Sequence, residues 1–101
     1  MTDALPRLFL RKGARSDLAE AFRWSEGQST GLGYEFLRAA RVTLAAVARA
    51  PEQFPVTVAD VRKARLRRFP YVVYYVVFAR GTSVIAVMHG RRRPRRWQSR
   101  R

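Results

Sequence analysis

Acidic residues are missing from the last two-fifths of this chain. Asp3, Asp17, Glu20, Glu26, Glu35, Glu52 and Asp60 are all seven of them, and none follows Asp60. Residues 61–101 carry 13 Lys and Arg with no counter-charge, whereas residues 1–60 hold 8 basic residues against 7 acids. Nearly all of the net +14 therefore falls on one part of the molecule. A like-charged surface repels itself and opposes compaction, so a partner of opposite sign is expected, either nucleic acid or an acidic protein segment.

Cysteine is absent, which excludes disulfides and thiolate metal sites and suits a reducing compartment. His89 is the only histidine, and the seven carboxylates show no ligand spacing, so no metal site is expected. No glycine-rich phosphate loop is present, and no cofactor is expected. The longest apolar run, Tyr71 to Ala79, is about half of what a membrane-spanning helix requires. Residues 1–10 lack the apolar run of a signal peptide. A soluble, cytoplasmic protein without a membrane partner is the expectation. Lysine is scarce too: only Lys12 and Lys63 stand among the 21 basic residues. A GC-rich genome explains such an arginine excess as well as selection for planar guanidinium forks does.

What is present is enough for one folded domain. At 101 residues and 48% hydrophobic content, the chain has material for a core. Leu5 to Arg11 reads as a strand at a sheet edge, because Pro6 cannot donate to a ladder. Gly13 breaks it, and Ser16 is placed to cap a helix that runs to about Glu26 with Asp17 and Glu20 in its first turn. Gly27 to Gly31 is a turn. Phe36, Leu37, Ala40, Leu44, Val47 and Ala48 then fall at helical spacing in a second helix, Leu32 to Ala50, ended by Pro51. The short turn predicts an antiparallel α-hairpin.

Pro51 to Val58 reads as a loop anchored by Phe54. Three strands follow. Arg62 to Arg67 alternates, with Ala64 and Leu66 on one face and Lys63, Arg65 and Arg67 on the other. Tyr71 to Phe78 is apolar on both faces, as a central strand should be, and Thr82 to Met88 closes the set after Gly81. The order strand, helix, helix, strand, strand, strand predicts an α+β domain: a small antiparallel sheet with the hairpin packed on one face. Residues 1–90 form that domain, and residues 91–101 form an Arg-rich tail containing Arg91, Arg92 and Arg93. Trp97 in that tail is expected to pack back on the domain rather than to stack on a base.

Several strings carry a resemblance. They are Asp17-Leu-Ala-Glu-Ala-Phe-Arg-Trp24, Gly31-Leu-Gly-Tyr-Glu-Phe-Leu37, Pro51-Glu-Gln-Phe-Pro55, the run from Asp60 to Tyr75, and His89 to Trp97. In this order the chain resembles the ParE/RelE toxin superfamily of bacterial type II toxin–antitoxin systems, over roughly residues 14 to 97. The resemblance implies a growth-inhibiting toxin neutralised by a cognate antitoxin whose acidic or amphipathic C-terminal segment wraps around it. One branch of the superfamily poisons DNA gyrase; the other cleaves messenger RNA on the ribosome.

Metal-independent RNA cleavage needs a general base, a general acid and cations for the phosphorane. Should this chain cleave RNA, His89 and Arg65 are the catalytic candidates, because histidine titrates near neutrality and Arg65 stands on a basic strand. Lys63, Arg65, Arg67, Arg91, Arg92 and Arg93 are the candidates for binding nucleic acid or the target. Tyr71, Tyr74 and Tyr75 are expected in packing, and Glu52 or Asp60 is a remote source of a carboxylate base. The nuclease branch often has an arginine in the middle of the next strand, where this chain has Val72 or Val73. That difference favours the gyrase-directed branch. A basic nucleic-acid-binding module without toxicity is the remaining alternative. No antitoxin-binding residue is legible.

Overall fold

The computed structural model describes residues 7–91 and 95–100. Strand β1 spans Leu8–Leu10, and helices α1 and α2 span Lys12–Gln28 and Leu32–Arg49. A single 3₁₀ turn over Pro51–Gln53 leads into β2 (Val56–Val58), β3 (Val61–Arg65), β4 (Tyr71–Phe78) and β5 (Gly81–His89). A short helix α3, Arg95–Gln98, ends the described chain. The strands form one sheet in the order β1-β5-β4-β3-β2. The α+β class and the element order agree with the sequence expectation.

Four local features differ from it. The sheet is mixed, because β1 runs parallel to β5 while all other pairs are antiparallel. Val56–Val58, expected as loop, pairs with β3 as an edge strand with all three residues exposed. Helix α1 starts at Lys12 rather than after Ser16, with Arg11 as its uncapped N-cap. The cause is tertiary: the Arg11 amide still donates to the Val84 carbonyl in the β5 ladder, and the Arg15 amide already donates to the Arg11 carbonyl. Gly13 therefore lies inside the helix. A Cβ there would meet the Arg100 guanidinium at 3.0 Å, a tight contact with the flexible end of a side chain. Finally, β3 ends at Arg65, which leaves Arg67 in the turn before β4.

The two faces of the sheet carry separate apolar clusters. Ala64, Val73, Tyr75, Val84 and Val87 meet Ala14, Ala21, Phe36, Ala40 and Val47 of the hairpin. Val61, Val72, Tyr74, Val76, Ala86 and Met88 form the opposite face, and Trp97 covers it. The β4–β5 register shifts between Tyr74 and Tyr75, so Ile85 is an extra residue in β5.

Helices α1 and α2 close on each other through Gly33, whose missing Cβ would lie 2.8 Å from both the Phe22 ring and its carbonyl. The Glu26 carboxylate accepts the Gly31 and Gly33 amides at 2.9 Å each, satisfying donors at the start of α2.

Candidate functional site

The basic residues divide between the two faces of the sheet. In register Lys63 faces Tyr74 and Arg65 faces Val72, so both side chains leave the sheet on the Trp97 side. Arg65 is exposed, and its Nη1 lies 3.6 Å from the position a Cβ on Gly90 would take. His89 faces Tyr71 in register, and Tyr71 packs edge-on against Phe36 of α2 at 5.1 Å. His89 therefore belongs to the hairpin side. Its ring meets Tyr71 at 5.7 Å, and its Nδ1 accepts the Arg91 amide at 3.1 Å. The sheet thus lies between the side chains of His89 and Arg65.

Arg67 is exposed in the β3–β4 turn, beyond the end of the strand that carries Lys63 and Arg65. Arg91 is exposed just beyond β5. Arg92 and Arg93 lie outside the described residues. Val72 and Val73, at 2% and 0% exposure, are core residues on opposite faces, so neither presents a group to a ligand. Tyr74 stacks on Trp97 with ring centroids 4.6 Å apart, and Trp97 is 1% exposed. The indole therefore packs on the domain, and it occupies the middle of the sheet face from which Lys63 and Arg65 project.

Arg100 anchors the C-terminal side of this cover. Its guanidinium holds both Asp17 oxygens, at 2.6 and 3.2 Å, and donates to the Ile85 carbonyl. The same Asp17 accepts the Val87 amide at 2.9 Å. Beyond the end of β1, side chains thus take over the hydrogen bonds of the β5 edge. Arg11 adds to the cluster by donating to Ser83 Oγ and to the Arg100 carbonyl. Nothing in the spacing of Arg11, Asp17 and Arg100 signals this junction, because it forms across 83 residues of sequence.

The titration of Tyr75 departs clearly from that of a free tyrosine. The side chain is fully buried, and burial pushes its hydroxyl up to about 12, opposed in part by Arg62. The hydroxyl donates to the Pro51 carbonyl, and Arg62 donates to the Glu52 and Phe54 carbonyls. The pair therefore ties the 3₁₀ turn to the sheet, which is a structural role. No group of metal-ligating side chains occurs among the described residues.

A groove of about 820 Å³ opens on the hairpin side, between α1, the end of β5 and the β3–β4 turn. Trp24, Ala21 and Leu32 line it from the hairpin, and Tyr71, Val87 and His89 line it from the sheet. Arg68 and Arg91 stand at its margin, and Asp17 and Glu20 enter it from the first turns of α1. Trp24 is 61% exposed, a large apolar surface at the mouth of a concavity.

The family model described as ParE toxin of type II toxin-antitoxin system, parDE, matches residues 8–94. This chain belongs to the ParE toxin family. A solved structure described as the chromosomal ParDE TA system from P. aeruginosa superposes on this ParE-family chain with a TM-score of 0.76. The match covers 84% of this chain and 96% of that one at 15% identity, a likeness of fold. Comparison with curated protein sequences finds no match. The chain is thus a toxin of the type II toxin–antitoxin class. Among the described residues no helix is long and apolar enough to cross a membrane.

Proposed function

We propose that this ParE-family toxin acts by inhibiting DNA gyrase, and that a cognate antitoxin with an acidic or amphipathic C-terminal segment holds it inactive. One observation carries the choice of target. A nuclease needs its acid or base and its phosphate-binding cations around one scissile bond. In this chain His89 and Arg65 leave opposite faces of the sheet, and the face carrying Arg65 is covered at its centre by Trp97. A toxin that binds and blocks a large enzyme needs no such convergence, only a surface. Lys63 and Arg65 offer one on the Trp97 side of the sheet.

Ribosome-dependent cleavage of messenger RNA is the second reading, and the contact between His89 and Tyr71 is what favours it. Purified toxin titrated into a DNA supercoiling reaction with purified gyrase separates the two. The expected result is loss of supercoiling, abolished when the antitoxin is added first. Intact supercoiling together with mapped messenger cleavage that disappears in His89→Ala would replace the gyrase reading with the nuclease one. Absence of both activities, with no growth defect on expression without antitoxin, would leave a nucleic-acid-binding module.

A further inference from the structure

By sequence the helical hairpin is close to neutral. Residues 12–49 hold six basic residues, Lys12, Arg15, Arg23, Arg38, Arg41 and Arg49, against four acids. Folding separates the two signs. All six cations are exposed. Lys12, Arg15 and Arg23 follow one another on α1 at intervals of three and eight residues, and Arg38, Arg41 and Arg49 do so on α2 at the same intervals. Such intervals return to one side of a helix. It is the side away from buried Ala14 and Ala21 on α1, and away from Phe36, Ala40 and Val47 on α2. Exposed Ala19 and Ala45 stand in the gap of each row.

The four acids are turned elsewhere. Asp17 holds Arg100 and the Val87 amide, and Glu26 accepts the Gly31 and Gly33 amides. Glu35 meets Arg68, and Glu20 lines the groove beside α1. The ion pairs of the described residues, Arg68–Glu35 and Arg100–Asp17, use none of the six hairpin cations. Arg15 donates to the Leu10 carbonyl, which leaves its charge uncompensated.

The form of this face selects its occupant. Each row extends over about 16 Å of helix, and the axes of packed helices lie about 8–10 Å apart. Duplex DNA carries one charge per about 1.7 Å of its axis, so roughly ten phosphates pass over such a row. Guanidinium forks bind phosphate oxygens in pairs. Unpaired nucleic acid is held by bases stacked on aromatic platforms. Here alanines stand between the cations, and Tyr34 at the turn end packs on Phe22 with ring centroids 5.0 Å apart. Protein partners are anchored by large aromatic or apolar groups at the centre of a contact, where each row has alanine. A second copy of this chain, at +14, is repelled.

We infer that the outer face of the hairpin binds the phosphate backbone of duplex DNA without regard to sequence, through Arg38, Arg41 and Arg49 of α2 and Lys12, Arg15 and Arg23 of α1. The hairpin lies between this face and the sheet, so the site is separate from Lys63 and Arg65 on the Trp97 side. A toxin held on DNA in this way keeps its Lys63 and Arg65 surface turned away from the duplex. The inference is independent of the choice between gyrase and messenger RNA.

Fluorescence anisotropy of a short labelled DNA duplex of arbitrary sequence, titrated with the full chain alone, tests it. Arg38→Gln/Arg41→Gln is expected to weaken binding by about tenfold or more at 0.1 M salt and to reduce the slope of log affinity against log salt by about 2. Arg7→Gln/Arg80→Gln removes the same charge at exposed positions of the sheet and should leave affinity within about twofold and the slope unchanged. Circular dichroism and thermal melting of each variant confirm folding. A second duplex of unrelated sequence should bind as tightly as the first. No binding by the parent chain, or equal losses in both variants, would overturn the inference. Tighter binding of single-stranded RNA with the same dependence on Arg38 and Arg41 would overturn it in favour of unpaired nucleic acid. Loss of binding to DNA-free gyrase in Arg38→Gln/Arg41→Gln, with no duplex binding by the parent, would overturn it in favour of an acidic protein surface.

Discussion

Individual residues here do work that their type alone does not announce. Tyr75 is the clearest case. Burial raises its hydroxyl to about 12, so the folded protein binds that proton more tightly than the unfolded chain, whose tyrosines titrate near 10. The sign follows: the contribution is fully present below about pH 10 and is lost as pH rises through about 12. Tyr75→Phe removes the hydrogen bond to Pro51 and is expected to cost roughly 1 kcal/mol at neutral pH. It should also flatten the fall in stability between about pH 10 and 12, which urea unfolding along that pH range would read. A variant with the parent's alkaline limb would show that other groups set it. The sequence placed Tyr75 on a central strand but could not distinguish it from Tyr74, one residue away. Tyr75 faces the hairpin and the 3₁₀ turn, whereas Tyr74 lies under Trp97 on the other side.

At the scale of elements, periodicity was informative where an element buries one regular face. The apolar positions of α2 recur at helical spacing because one side rests on the sheet, and Phe36, Ala40 and Val47 are buried as that pattern requires. The start of α1 departs from the local sequence signal for the opposite reason. Its boundary follows from Arg11 remaining bonded to Val84 and from Arg100 lying over Gly13, neither of which is local. Strand β2 was missed because its three residues are exposed, so no burial pattern marks it, and only pairing with β3 defines it. Helix α3 is only four residues long, and what holds it is Trp97. Truncation of that side chain, Trp97→Ala, is expected to cost about 3–5 kcal/mol. The indole Nε1 is buried without a hydrogen-bond partner among the described residues. Trp97→Phe therefore removes an unsatisfied donor while keeping an aromatic ring on Tyr74, and it should cost less than half as much. Chemical denaturation of both variants checks the ratio; equal losses would mean that the outer face tolerates no aromatic but indole.

For the whole molecule the governing quantity is net charge, and its consequence is kinetic. A partner of opposite sign is drawn in by a field that salt screens over about 10 Å at 0.1 M and about 3 Å at 1 M. Association with the antitoxin is accordingly expected to slow by about tenfold or more across that range, while dissociation changes far less. Stopped-flow mixing measures both. An association rate indifferent to salt would mean that the cations do not steer the encounter and that apolar contact alone governs it.

Composition and order by themselves determined an α+β fold with a strongly cationic C-terminal part, because apolar spacing and the distribution of carboxylates are properties of the chain before it folds. They also held enough of a family's pattern to mark it as a toxin of this class. Only the tertiary structure decided which basic residues share a face. A strand sends alternate side chains to opposite sides, and the partner that covers each side comes from distant sequence: the hairpin over His89 and Tyr71, Trp97 over the face of Lys63 and Arg65. The separation of His89 from Arg65, and the groove beside Trp24, come into being when those layers pack.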